Sequence, residues 1–227
     1  MRLCVLIDPT GAFWEKNMYI SVENYEEIYL KGKDSETVLE EIEKIRREIA
    51  KAKAKLESPA NVYDTYPRDE SVIDICRKYL ASAMKYYSDL TGKACELSEE
   101  EKASAIFNST VSDVSCITLT VGRYLQDKYE LTFGSDSAEI CEIHLEKEPT
   151  VRAVDRKHAM DTVLALNMGE WKESYTPDQY GCTLNEPTKW QIRIDYSGKE
   201  SPRFFDGFGV FPYNFEVLLK LLGADID

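Results

Sequence analysis

The sequence contains none of the short motifs that mark the common nucleotide and hydrolase sites. There is no G-x-G-x-x-G, no G-x-x-x-x-G-K-[ST] and no G-x-S-x-G, so neither a dinucleotide fold, a P-loop nor a nucleophile elbow is indicated. Only two histidines occur among 227 residues, and histidine is the side chain that most readily serves as acid, base or ligand near neutral pH. These absences favour a non-catalytic protein.

Basic residues are also scarce. The chain has 28 Lys and Arg against 41 Asp and Glu, which gives a net charge of −13 and a pI near 4.8. Sequence-independent nucleic-acid binding depends on Lys and Arg that displace counterions from phosphates, so direct binding to DNA or RNA is disfavoured. An anionic membrane surface is disfavoured for the same reason. No stretch approaches the roughly 20 apolar residues of a membrane-spanning helix.

The cysteines and the N-terminus predict a cytoplasmic protein. The six cysteines, at positions 4, 76, 95, 116, 141 and 182, form no C-x-x-C pair and no cluster, as expected of reduced thiols. The apolar run at residues 3–7 is followed by Asp8 and Pro9. It is too short for a signal-peptide core and predicts a first strand followed by a turn.

The first half of the chain is predicted to be mainly helical. Apolar residues recur every three or four positions over residues 34–57, which predicts a long amphipathic helix with Asp34 or Ser35 as its N-cap. The stripe consists of Val38, Ile42, Ile45, Ile49, Ala52 and Leu56. Such a stripe suits a helix packed within its own chain or a coiled coil, and both readings stay open. Two four-residue ion pairs are expected, Glu40 with Lys44 and Glu43 with Arg47.

Further helices and strands follow. Residues 18–30 stay open between strand and helix, a second helix is predicted over 69–90 with Gly92 as its stop, and a third begins at Ser98 in a capping box with Glu101. Period-two patterns predict strands at 116–121, 129–133, 138–145 and 190–196, with turns at 126–128 and 134–137. Helices are expected at 155–168 and 214–222, with a Gly- and Phe-rich loop before the last one.

These elements predict an α+β fold. It has a mainly helical first half, an antiparallel β meander in the middle, and a C-terminal β-strand or hairpin plus helix. The length allows one domain or two that pack closely. Any boundary is expected at 58–68 or 146–155.

The C-terminal segment resembles a module of uncharacterised bacterial and mobile-element proteins. The shared pattern is a W-x-I-x-I-x-Y strand, here from Trp190 to Tyr196, a glycine-containing loop, and P-x-N-F, here from Pro212 to Phe215. The match covers about the last 35 residues, and residues 208–211 are less polar than the pattern. The resemblance implies a bacterial or mobile-element origin and a hairpin-plus-helix subfold, with no activity attached. Asn214 is expected to cap the helix.

The two histidines are the first candidates for metal ligands. On a strand, Glu142 and His144 share a face and could chelate an ion, with Glu130 and Asp127 as neighbouring strand acids. The pattern resembles metal-dependent nucleases but lacks their usual lysine. His158, near Asp155 and Asp161, fits a solvated helix surface. No metal, cofactor or catalytic residue is therefore predicted.

An acidic segment and a set of loop tyrosines are the candidate binding residues. Residues 96–148 hold twelve acids and four bases, so 4 − 12 places −8 of the total charge there. Such a surface attracts a basic partner, and enzymes that hold DNA or RNA have basic grooves. Tyrosine supplies a large contact area at low entropy cost. The candidates are Glu96, Glu99, Glu100, Glu101, Tyr63, Tyr66, Tyr175 and Tyr180.

Three functions therefore compete. The favoured one is a non-catalytic protein that binds a basic protein partner, in one version an inhibitor of a nucleic-acid-processing enzyme of the kind that phages use against host defence. The second is a structural protein that self-assembles into a homo-oligomer through the 34–57 helix. The third is an enzyme with an unmarked site, such as a metal-dependent hydrolase.

Overall fold

The computed structural model describes residues 20–59 and 69–224. The strand and turn predicted within residues 3–11 lie outside these ranges, as does most of the connector predicted at 58–68. The chain divides into two compact units. One comprises Met1–Ala52 and Pro67–Cys95 and is called the helical unit; the other comprises Lys53–Tyr66 and Glu96–Asp227 and is called the sheet unit.

The described part of the helical unit is built from helices. Helix α1 (Val22–Tyr25) continues directly into a π-helix (Glu26–Leu30), so the open segment is helical from Val22 onward. Helix α2 (Ser35–Glu57), whose last residues belong to the sheet unit, and helix α3 (Asp69–Thr91) follow. Asp34 is the N-cap of α2, because its Oδ1 accepts the amide hydrogen bond of Thr37 at 2.8 Å.

The apolar stripe of α2 is buried by its own chain. Val38, Ile42 and Ile45 are fully buried and Ile49 nearly so. The stripe that suggested a coiled coil is therefore not available to a second chain. The two predicted four-residue ion pairs are wrong: Lys44 pairs with Glu41, and Glu43 pairs with Arg46, each at three-residue spacing.

The sheet unit contains three complete α-helices among its described residues. Helix α4 (Glu99–Thr110) begins in the predicted capping box, in which Glu101 accepts from the Ser98 amide at 2.7 Å and Ser98 Oγ accepts from the Glu101 amide at 3.2 Å. Helix α5 (Arg156–Ala165) is capped by Asp155. Helix α6 (Phe215–Leu222) ends at Gly223, which has the left-handed φ of 70°.

Asn214 occupies the N-cap position of α6, as predicted, but its side chain makes no capping hydrogen bond. The side chain instead accepts a hydrogen bond from Trp171 Nε1 at 2.9 Å and donates one to the carbonyl of Leu166 at 2.8 Å. Asn214 therefore ties the start of α6 to the segment that follows α5.

A seven-stranded sheet forms the centre of the sheet unit. Its strand order is β4-β3-β2-β1-β6-β7-β5, and all neighbours are antiparallel except β5 and β7. The strands are β1 (Val114–Gly122), β2 (Asp127–Phe133), β3 (Ala138–Ile143), β4 (Thr150–Val154), β5 (Ser174–Tyr175), β6 (Lys189–Tyr196) and β7 (Arg203–Phe208). The α+β class and the antiparallel meander are confirmed.

Three details differ from the sequence prediction. The β1–β2 turn lies at residues 123–126, because Asp127 and Lys128 already pair with β1. The segment predicted as a Gly- and Phe-rich loop contains strand β7. Strand β4 was not predicted and occupies residues 150–154.

The core lies on one face of this sheet. Inward-facing strand residues such as Ile117, Leu131 and Trp190 pack with Val163 and Leu218 from the helices. Gly207 of β7 lies against Trp190, since a Cβ at this glycine would come within 2.3 Å of the indole ring. The Trp190 Nε1 donates to the carbonyl of Val210 at 2.7 Å, so the buried ring is satisfied. No helix in the described residues is long and apolar enough to cross a membrane.

Candidate functional site

The opposite face of the sheet carries a shallow concavity of about 530 Å³. Side chains alternate between the two faces of a strand, so every second residue of the central strands points onto this open face. The concavity spans β2, β1, β6 and β7. It is lined by Thr118, Thr120, Lys128, Glu130, Gln191, Ile192, Arg193, Asp195, Phe204, Phe205 and Asp206.

The charges in this concavity are largely matched on their own strands. Lys128 Nζ lies 2.6 Å from Glu130 Oε1. The Arg193 guanidinium donates to both carboxylate oxygens of Asp195, through Nε at 2.9 Å and Nη2 at 2.7 Å. Asp206 accepts a hydrogen bond from Ser174 Oγ at 3.2 Å. The surface is polar and of mixed sign, so it does not present the concentrated positive charge that a phosphate backbone requires.

Two exposed aromatic rings stand on the same face. Phe204 is 60% exposed and Phe208 is 37% exposed. Arg193 lies 5.6 Å from the centre of the Phe204 ring and Lys189 lies 5.9 Å from that of Phe208, distances at which a cation is attracted to an aromatic face. Aromatic and arginine side chains surrounded by polar groups are typical of the residues that dominate protein–protein binding energy.

The sequence did not predict these aromatic residues as a site. The sequence predicts a loop here, whereas both residues belong to strand β7 and pair across the sheet, Phe204 with Arg193 and Phe208 with Lys189. The signal that was available is the spacing of the two phenylalanines, which are four residues apart and therefore share a face once a strand is assumed.

The predicted acidic cluster lies at the start of α4, and its members differ in availability. The side chains of Glu96 and Glu99 are 91% and 90% exposed, and both lie near Lys102, at 3.8 Å and 2.7 Å. Glu100 pairs with the buried Lys53 at 3.0 Å. Glu101 is engaged in the capping box. Lysines therefore neutralise part of the charge, and Glu101 stabilises the start of the helix.

Two of the four candidate tyrosines, Tyr63 and Tyr66, lie outside the described residues. The expectation that Tyr175 offers its ring at a loop surface is wrong, because Tyr175 is fully buried in β5. Tyr180 is partly buried in a short 3₁₀-helix (Pro177–Tyr180).

Tyr175 and Tyr180 belong to a polar network around the buried Glu57. This carboxylate accepts from Tyr180 Oη at 2.7 Å, from Lys172 Nζ at 2.9 Å and from Tyr175 Oη at 3.4 Å. Lys172 Nζ also donates to Tyr180 Oη at 2.7 Å. Three donors compensate the burial of one carboxylate, so the network fastens the end of α2 within the sheet unit.

The network shifts the pKa of its members. Burial, reinforced by the Glu57 carboxylate, raises the pKa of Tyr180 to about 12, although the hydrogen bond from Lys172 acts in the opposite direction. Burial, with a further contribution from Glu57, also raises the pKa of Tyr175. The pKa of Lys172 is raised: burial alone would lower it, but the hydrogen bonds to Tyr180 and Glu57 prevail. Both phenols and the ammonium therefore keep their protons at neutral pH.

In the described residues, neither histidine belongs to a group of three or more side chains that could bind a metal ion. His144 Nδ1 lies 2.8 Å from Asp127 Oδ1, whereas Glu142 lies 3.6 Å from Arg152 and Glu130 pairs with Lys128. Glu142 and His144 therefore each have a different partner and do not form one chelating pair. The His158 amide donates to Asp155, and Asp161 lies near Lys157. Within residues 20–59 and 69–224 no group of three or more His, Cys, Asp or Glu could hold a metal ion.

No family model matches the chain, and no curated protein or solved structure matches it either. The candidate function therefore depends on the geometry described above.

Proposed function

We propose that this protein is a non-catalytic, protein-binding protein whose binding site is the open face of the sheet, centred on Phe204, Phe208 and Arg193. The observation that carries the proposal is the pair of exposed aromatic rings, each with a cation beside it, at the edge of a concavity on a sheet whose other face is buried. Buried aromatic and arginine anchors inside a polar rim are the common composition of a binding hot spot.

The net charge supports a basic partner. The exposed Glu96 and Glu99 and the remaining acids of residues 96–148 attract such a partner from a distance, while the open face makes the specific contacts. An enzyme that holds DNA or RNA in a basic groove is the partner class that fits this charge best. A protein that binds in such a groove would inhibit the enzyme, so we propose an inhibitor function.

Affinity capture from bacterial lysate tests the proposal with matched variants. Phe204→Ala with Phe208→Ala removes both rings from the open face. Leu164→Ala with Val217→Ala removes two apolar side chains, 43% and 41% exposed, from helices α5 and α6 of the same unit. We expect a basic protein to be captured by the wild type and by the helix variant and to be lost with the sheet variant.

The salt dependence gives a second readout. Capture should weaken between low and high salt, because ions screen the attraction between the acidic protein and its basic partner. The proposal would be contradicted if both double variants still captured the partner. It would also be contradicted if neither added salt nor the loss of both rings weakened the binding.

A further inference from the structure

The two edges of the sheet are built differently. One edge is β5, which has only two residues, and such a short strand offers little backbone for pairing. The other edge is β4, which has five residues, of which the first four are exposed. Its Val151 side chain is 62% exposed.

Strand β4 lacks the features that usually protect an edge. It contains no proline and no lysine, and its pairing with β3 runs without a bulge from Ala138 opposite Val154 to Glu142 opposite Thr150. Its one charged side chain, Arg152, is directed to its own unit: Nε lies 3.6 Å from Glu142 and Nη2 donates to the Leu221 carbonyl at 2.8 Å. Among residues 20–59 and 69–224, no other strand pairs with the outer edge of β4, so its backbone is open to another strand.

We propose that a second copy of this chain pairs with β4 in antiparallel orientation, about a two-fold axis at Arg152. This pairing places Val151 of each copy opposite Ala153 of the other. Both residues are exposed and lie on the open face, since they pair with Cys141 and Glu139 of β3. Apolar side chains thus meet apolar side chains twice, and the backbone hydrogen bonds extend the sheet.

The charges also match in this arrangement. The two arginines at position 152 face each other on the helix side of the sheet, where like charges would repel. Each arginine already lies against its own Glu142 carboxylate, so the contact contains two positive and two negative groups. An isologous interface requires such self-complementarity.

Antiparallel pairing places both open faces on the same side of the joined sheet, because directly opposed residues share a face. The dimer would then present two copies of the surface around Phe204. This inference stands on the edge strand alone and does not depend on the proposed function.

Sedimentation equilibrium over a wide range of protein concentrations tests the proposal. The expected mass rises towards twice the 26.0 kDa of one chain. The variant Val151→Lys with Ala153→Lys adds two charges to β4. These charges should prevent pairing between two copies, so the measured mass should stay that of one chain. Leu164→Lys with Val217→Lys adds the same charge at exposed helix positions and should leave dimerisation unchanged. Circular dichroism checks that all variants fold.

Two further measurements separate this interface from any other. Hydrogen exchange at the amides of Thr150–Val154 should slow as the protein concentration rises. Glu142→Gln should weaken the dimer several-fold, and added salt should reduce that difference, because the facing arginines lose their compensation. A single-chain mass at every concentration would overturn the proposal, as would a dimer that survives Val151→Lys with Ala153→Lys.

Discussion

At the scale of single residues, close packing dictates glycine at one position in the sheet. Gly207 faces the fully buried Trp190, and an added Cβ would lie 2.3 Å from the indole. The ring has little freedom to move, because it also contacts Tyr175, Phe211 and Phe215. The two residues are direct neighbours across β6 and β7, the strands that carry the candidate site.

We therefore expect Gly207→Ala to destabilise the sheet unit by about 1–3 kcal/mol, the usual cost of overpacking a core. Urea unfolding measures this change. Gly198→Ala is the matched control, because a Cβ there meets nothing within 4 Å. Equal stability of the two variants would show that the Trp190 contact is loose.

Buried phenols give a pH dependence. The pKa of Tyr180 is raised to about 12, mainly by burial, and burial raises the pKa of Tyr29 in the helical unit to about 12 as well. An unfolded tyrosine has a pKa near 10. The folded state therefore holds these protons more tightly, so the contribution of these two phenols to stability should be constant below about pH 10 and fall as the pH rises towards 12.

Denaturant unfolding at a series of alkaline pH values checks this direction. Tyr180→Phe should make the fall in stability shallower, because one of the shifted phenols is gone. Stability that rises between pH 10 and pH 12 would contradict the account.

At the scale of elements, local signals predicted the helices better than the sheet. The Ser98 and Glu101 capping box and the glycine stops depend on neighbouring residues alone, and the structure contains them as predicted. The sequence predicts a second C-terminal strand only as one alternative, because Phe204 and Phe208 are exposed while Phe205 is buried, so the apolar residues of β7 do not alternate. Strand β4 was missed because most of it is exposed and it carries little pattern.

The candidate site was missed because the apolar residues of β7 do not alternate. The acidic residues were chosen from composition, which cannot reveal that Lys53 neutralises Glu100. The tyrosines are candidates because the sequence predicts loops around them, whereas Tyr175 is fully buried in the core. Contacts between residues that are distant in sequence determine the partner of Glu100 and the burial of Tyr175. Such contacts cannot be predicted from a single sequence.

The capping box allows a direct test on α4. Ser98→Ala should cost about 1 kcal/mol, since the Glu101 amide loses its acceptor. Ser109→Ala is the matched control, because Ser109 lies in the same helix and its hydroxyl bonds only back to the Ile106 carbonyl, 2.7 Å away. Thermal unfolding should rank Ser98→Ala well below Ser109→Ala. The reverse order would show that the box contributes little.

At the scale of the whole molecule, acidic charge and one uncovered sheet face together define the proposed function. The excess negative charge, more than half of it within residues 96–148, acts at a distance, whereas the exposed rings act on contact. The two contributions predict different kinetics: altered surface charge should change the association rate, and loss of a ring should change mainly the dissociation rate.

Photo-crosslinking tests the proposed binding site directly. A photoreactive phenylalanine analogue replaces Phe204 and, in a matched variant, Leu164 on helix α5. After irradiation in bacterial lysate, we expect one abundant covalent adduct with a basic protein at position 204 and none at position 164. No adduct at position 204, or the same adducts at both positions, would contradict the assignment of the open sheet face as the binding site.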